Sequence, residues 1–166
     1  YNFTAKKNKF LNFIFTTAHK NNISDTLKCM QSFNQFQQMD HSHPSTIHII
    51  ESIIKKVPVT HVLELGTYYG FCTLSIMKNL TKNGTITSIE QVKIQADFAK
   101  KIIEFANFST QITIMHGTAE KKIPQLKQQY HLIYIDHDTS LVYQDLKSIV
   151  SYDLMKKGCK VIIPNI

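Results

Sequence analysis

The stretch His61-Val62-Leu63-Glu64-Leu65-Gly66-Thr67-Tyr68-Tyr69-Gly70-Phe71-Cys72 decides the fold. The apolar run at 62–65 predicts a buried parallel strand that stops at Gly66. Gly70 then opens a pattern that predicts a helix through Met77 and on to about residue 80. A strand that feeds a helix through a glycine-bearing turn brings backbone amides close to a ligand. Glu64 lies inside this strand and Glu90 ends the next one, so two carboxylates share one edge. Such a pair suits a ligand with hydroxyls and a positive charge, and it suits a pyrophosphate poorly.

The glycine spacing narrows the choice. A dinucleotide fingerprint needs Gly-x-Gly-x-x-Gly. Here Gly66 and Gly70 are four positions apart, with Thr67, Tyr68 and Tyr69 between them. Glu90 stands 24 residues past Gly66, closing Thr85-Ile86-Thr87-Ser88-Ile89-Glu90. That is where a doubly wound fold places the acid that holds a ribose. An ordinary strand–turn–helix corner is the alternative reading of the glycines taken alone.

Outward from this turn the pattern is regular. Strands are predicted at 61–65, 84–89, 111–115, 131–136 and 159–163, and helices at 70–80, 93–106, 119–129 and 140–151. Ile94, Phe98, Ile102 and Phe105 form the stripe that packs the second of these helices on the sheet. Residues 7–36 read as two helices broken near Asn21-Asn22, with Ser24 or Asp25 as cap. Residues 35–44 read as a polar loop, and Ser45 caps a further helix that ends before Pro58. The expectation is one domain over 1–166, with a helical part at 1–57 and an α/β core at 58–166. Its fold class is α/β, a doubly wound, mainly parallel sheet with helices on both faces. Ligands of such sheets bind at the carboxyl ends of the strands. Glu64, Gly66, Glu90, Asp136, His137, Asp138 and Asn165 all fall there. Carboxylates and an amide in that position suit a hard cation such as Mg²⁺.

Composition removes other classes. The chain has 166 residues, 43% of them hydrophobic, enough for one core. No segment approaches the ~20 consecutive apolar residues of a membrane span. The net charge of +7 comes from 19 basic residues, and every one is lysine. Without arginine's planar fork the case for nucleic-acid recognition is poor, so no nucleic-acid partner is expected. Cys29, Cys72 and Cys159 are odd in number and lack metal-ligand spacing, which predicts free thiols in a reducing, cytoplasmic setting. The chain begins at Tyr1, leaving room for a signal or anchor before it. His41, His43 and His48 read as part of a polar lid segment or, alternatively, as a zinc cluster.

Several of these segments resemble the catechol O-methyltransferase family of class I S-adenosylmethionine-dependent enzymes. Leu63-Glu64-Leu65-Gly66-Thr67-Tyr68-Tyr69-Gly70 resembles its cofactor loop. Phe105-Ala106, Ile112-Thr113-Ile114, Gly117 and Ile123-Pro124-Gln125-Leu126 resemble its middle section, Asp136-His137 its Asp-His pair, and Lys157-Gly158 the turn before its fifth strand. The resemblance implies a Rossmann-like fold whose last two strands lie outside this sequence, which therefore reads as a fragment. It implies S-adenosylmethionine as cofactor, with Glu64, Gly66, Tyr68 and Cys72 on its methionine side. Glu90 and Gln91 would stand at the ribose, Glu120 and His137 at the adenine, and Asp136 between cofactor and Mg²⁺, with Asn165 as a second metal ligand.

The expected activity is O-methylation of a small catechol-type substrate by a monomeric protein, as in catecholamine metabolism. Departures from the family pattern fall on its chemistry. Pro164 stands where the family has a metal carboxylate, Thr139 at the position of its lysine base, and Asp138 at that of an aromatic residue. The other reading is therefore a catalytically impaired, cofactor-binding protein of the same fold.

Overall fold

A computed structural model describes residues 3–37 and 44–164. Three helices come first, α1 (Phe3–Thr17), α2 (Ile23–Gln37) and α3 (Pro44–Lys56). Then strands and helices alternate: β1 (His61–Leu65), α4 (Phe71–Asn79), β2 (Thr85–Glu90), α5 (Lys93–Phe105), β3 (Ile112–His116), α6 (Ala119–Lys122), β4 (Tyr130–Ile135), α7 (Val142–Ser151) and β5 (Met155–Ile162). The five strands form one sheet in the order β3-β2-β1-β4-β5, and every adjacent pair is parallel. Strand order reverses between β1 and β4, and at such a switch point the connecting chains part and leave a crevice.

Alternation along the strands sorts the core into two layers. Val62, Ile86, Leu132 and Tyr134 face one side, where they join Phe10, Ile14, Met30, Ile50, Leu74 and Ile102 from the first five helices. Leu63, Leu65, Ile89, Ile133 and Ile135 face the other, under Ile123, Val142, Ile149 and Leu154. By the same alternation Glu64 points into the first layer, beneath α4, and it is fully buried there. The first helices also reach the glycine turn: the Phe10 ring packs against Tyr69 at 5.6 Å between centroids. Among the described residues no helix is long and apolar enough to cross a membrane.

Several element boundaries differ from the sequence expectation: α1 starts at Phe3 rather than 7, and α3 at Pro44, ahead of its expected cap Ser45. The helix expected at 119–129 stops at Lys122 and continues only as a 3₁₀ turn, Ile123–Gln125. Pro124 has no N–H to donate to Glu120, and its ring crowds that carbonyl. β5 starts at Met155 rather than 159, because Tyr130 pairs with Met155 while Leu132 already pairs with Lys160. The Lys157-Gly158 turn is therefore a bulge inside the strand, with Gly158 at φ +82°. The cap of α2 is Asn22, whose Oδ1 accepts from the Asp25 amide at 3.0 Å, not Ser24 or Asp25. Asp25 instead accepts from the His19 amide at 2.8 Å, three residues before the cap.

Candidate functional site

Backbone hydrogen bonds extend the ladder past the strand ends and fix the loops that follow. Gly66 N donates to Ile89 O, Gly117 N to Glu90 O, and Asp136 N to Leu65 O, each at 2.9 Å. The turns after β1, β3 and β4 are thereby tied to one another around a cleft of about 280 Å³. Gly66 must be glycine here. Its φ is +94°, and a Cβ would stand 2.2 Å from the Asp136 carbonyl oxygen.

Glu90 organises the turn from the β2 side. Its Oε2 accepts from the amides of Thr67 at 3.1 Å and Tyr68 at 2.8 Å, and its Oε1 from Val92 at 2.8 Å. Tyr68 needs this support, since its φ of +51° lies in a region that aromatic residues seldom adopt. Behind the turn Thr73 donates to Glu64 Oε2 at 2.6 Å, Ser88 donates to the same oxygen, and the Thr67 hydroxyl meets that of Ser88. Burial pushes the Glu64 carboxyl up to about 7; the two hydroxyls act against that, and the charges of Asp136 and Glu90 add to it. Across the cleft Tyr134 donates to Asp136 Oδ2 at 2.7 Å.

The far wall is formed by His137 and Asp145. Nε2 of His137 lies 2.8 Å from Asp145 Oδ2, and its Nδ1 lies 3.0 Å from the Asp138 carbonyl. Both ring nitrogens thus face acceptors, the arrangement of an imidazolium. Burial opposes that charge, but the bonds to Asp145 and to the Asp138 carbonyl outweigh it and hold the imidazole above its ordinary pKa. Asp138 caps the short turn Thr139–Leu141, its Oδ1 accepting from Ser140 N at 3.0 Å and Ser140 Oγ at 2.8 Å.

Of the residues singled out in the sequence, Gly66, Tyr68, Glu90, Gln91, Glu120, Asp136, His137 and Asp138 line the cleft. Glu64 and Cys72 lie below it, with Cys72 Sγ 3.8 Å from the Tyr134 hydroxyl. Thr139 sits exposed on its turn and is not part of the lining. Asn165, His41 and His43 lie outside the described residues, and His48 faces Glu51 at 3.7 Å on the exposed side of α3. Gln95, Thr118, Gln144 and Asp145 line the cleft without having been singled out. A sequence signal for Asp145 existed: it shares the buried stripe of α7 with Val142 and Ile149.

Glu90, Glu120 and Asp136 give the cleft acceptors on opposing sides, a set that fits a ligand bearing hydroxyls, an amino group and positive charge. A divalent cation is fitted less well. Among the described residues no three His, Cys, Asp or Glu side chains gather as a metal site. Asp136 already accepts from Tyr134, Asp138 is engaged by Ser140, and Pro164 offers no side-chain ligand. The described side chains do not compose a Mg²⁺ centre.

Five parallel strands in this order, with an acid-rimmed cleft at the switch point, define a Rossmann-like methyltransferase fold. A family model described as O-methyltransferase matches residues 14–166, and the chain belongs to that family. It is 26% identical over 123 residues to catechol O-methyltransferase B of Danio rerio, covering 71% of this chain and 47% of that protein. It is 27% identical over 136 residues to the transmembrane O-methyltransferase of Homo sapiens, covering 78% of this chain and 47% of that protein. The chain thus spans about half the length of these curated relatives. Among solved structures, the O-methyltransferase of Bacillus cereus in complex with SAH superposes with a TM-score of 0.73 at 20% identity, covering 82% of this chain and 64% of that one.

Proposed function

We propose that the cleft binds S-adenosylmethionine and that the protein transfers its methyl group to a hydroxyl of a small catechol-type molecule. The observation that carries this reading is Glu90, held at the end of β2 in front of the glycine turn and lining the cleft. When bound, the cofactor supplies an electrophilic methyl group on a sulfonium. Glu90 would accept from the ribose hydroxyls, with Gln91 beside it, while Glu120 and His137 border the adenine. Gly66, Tyr68 and Asp136 would flank the methionine side, and Glu64 and Cys72 would support that side from beneath the cleft floor. The acid rim favours the cationic cofactor over its neutral thioether product, which helps release after transfer. Asp136 is the one resemblance-derived metal ligand among the described residues, and no step of this reading is routed through Mg²⁺.

A second reading keeps the cofactor and loses the transfer. It is favoured by Thr139, exposed on its turn at the position of the family's base, because a hydroxyl is a poor base at neutral pH. Calorimetry with S-adenosylmethionine tests the site common to both, and a folded protein that gives no binding heat would sink both. Methyl transfer to a catechol, assayed with and without Mg²⁺, then separates them: turnover selects the enzyme, and tight binding without turnover selects the impaired form.

A further inference from the structure

Behind the cleft floor lies a polar group that cofactor contact does not explain. Thr67 is 3% exposed, and Ser88 and Glu64 are fully buried. Hydroxyls in so dry a place need partners, since an orphaned one costs on the order of 1–3 kcal/mol. Each has one. Ser88 carries a single proton and gives it to Glu64 Oε2, so the Thr67 hydroxyl must donate to Ser88 Oγ. Thr67 also donates its amide to Glu90. The turn is thereby gripped from both sides, by its amides on Glu90 and by the Thr67 hydroxyl on the buried chain.

We propose that Thr67, Ser88 and Glu64 form a buried hydroxyl–carboxyl relay that holds the glycine turn in its ligand-binding shape, which makes Thr67 and Ser88 positioning residues for cofactor binding. This rests on the reading of the cleft as an S-adenosylmethionine site. The relay has a direction. With Glu64 ionised, Thr67 donates to Ser88 and Ser88 to Glu64. A proton on Glu64 Oε2 competes with the donors Ser88 and Thr73, and Oε1 is buried with no acceptor beside it. Ser88 must then turn its proton toward Thr67, whose own proton loses its acceptor.

The groups that face Glu64 from the neighbouring elements are few. From β2 come Ser88 and Glu90, from β4 its register neighbour Tyr134 and Asp136, and from α4 Thr73. The two charged ones, Glu90 and Asp136, are acids and disfavour a third negative charge. A cationic ligand between them offsets that repulsion, ionises Glu64 and fixes the relay. Linkage requires the reverse as well: ionised Glu64 raises affinity for a cation.

The test is calorimetric affinity for S-adenosylmethionine at pH 6 and pH 8, with melting temperature measured alongside. Thr67→Val keeps both turn amides and deletes only the hydroxyl. It is expected to weaken binding about tenfold at pH 8, with Thr67→Ser restoring affinity to within about twofold. Wild-type affinity is expected to rise from pH 6 to pH 8, and Glu64→Gln to abolish that rise. If Thr67→Val fails to fold, Ser88→Ala breaks the same chain from the other end and carries the same expectation. Unchanged affinity in the valine variant, or no rescue by serine, overturns the relay. Absence of binding by folded wild-type protein overturns the cofactor reading instead.

Discussion

Glu64 sits in the middle of β1, where an all-apolar strand would pack more cheaply, and its carboxyl is pushed up to about 7 chiefly by burial. An acid whose pKa is raised in the fold holds more protons folded than unfolded between its ordinary value near 4.5 and 7. Stability from this group is therefore greatest below the unfolded pKa, falls as pH rises through that window, and levels off above it. Glu64→Gln removes the titration while its amide oxygen can still accept from Thr73 and Ser88. Urea denaturation of both proteins at pH 5 and pH 8 should show wild type losing ground to the variant by about 2–3 kcal/mol between the two. A difference independent of pH would mean that Glu64 does not titrate there. Glu90 accepts from three backbone amides. Glu90→Ala should abolish cofactor binding and also cost about 2–4 kcal/mol, because those donors lose their acceptor. Glu90→Gln, with one oxygen kept, should fall between. Calorimetry and denaturation midpoints read both effects. The acid at the end of β2 was legible from its spacing to Gly66; its grip on the Thr67 and Tyr68 amides was not, because it depends on how Tyr68 turns.

At the scale of elements, the glycine turn is where β1, β4 and α4 meet, and its two glycines are not equivalent. A methyl at Gly66 meets the Asp136 carbonyl oxygen at 2.2 Å, so Gly66→Ala must push β4's loop away from β1. At Gly70, φ is +84° but the nearest atom is the Ala99 Cβ at 3.5 Å, an ordinary contact. Gly70→Ala should therefore cost only the backbone penalty of about 1–2 kcal/mol, whereas Gly66→Ala adds overpacking worth about 1–3 kcal/mol more. Urea midpoints of the two variants check the ranking, and equal midpoints would contradict it. Hydrophobic periodicity placed β1 at its observed limits and β2, β3 and α5 within a residue of theirs, since burial runs the length of β1 and follows one face of α5. It failed where backbone chemistry outweighs pattern. Pro124 cut α6 short although apolar residues continue past it, and the bulge around Gly158 hid the first half of β5 among exposed lysines. Asp145 was hidden differently: a helical acid reads as solvated until its partner His137, eight residues back on another element, is placed against it.

Across the whole molecule, the cleft takes residues from the ends of β1, β2, β3 and β4, and those strands carry both layers of the core. A ligand that bridges them is tied to the global fold rather than to a mobile lid. The class of ligand was legible from Glu90, Asp136 and the glycine spacing, because a parallel sheet sends all its strand ends to one side. The departures at Pro164, Thr139 and Asp138 were legible by position too, but the exposure of Thr139 and the hold of Ser140 on Asp138 were not, since both depend on how that turn folds. Mass action then sets the size of the effect on stability: a ligand at about one hundred times its Kd adds about 2.7 kcal/mol. For a chain of 166 residues each kcal/mol moves Tm by about 2–4 °C. Saturating S-adenosylmethionine should thus raise Tm by about 5–10 °C. The rise should be larger at pH 8 than at pH 6, where a neutral Glu64 leaves less negative charge behind the cleft. Differential scanning fluorimetry across a concentration series checks both parts, with Glu90→Ala as the control expected to show no shift. A Tm that stays fixed for wild-type protein at millimolar cofactor would remove the cleft from consideration as a cofactor site.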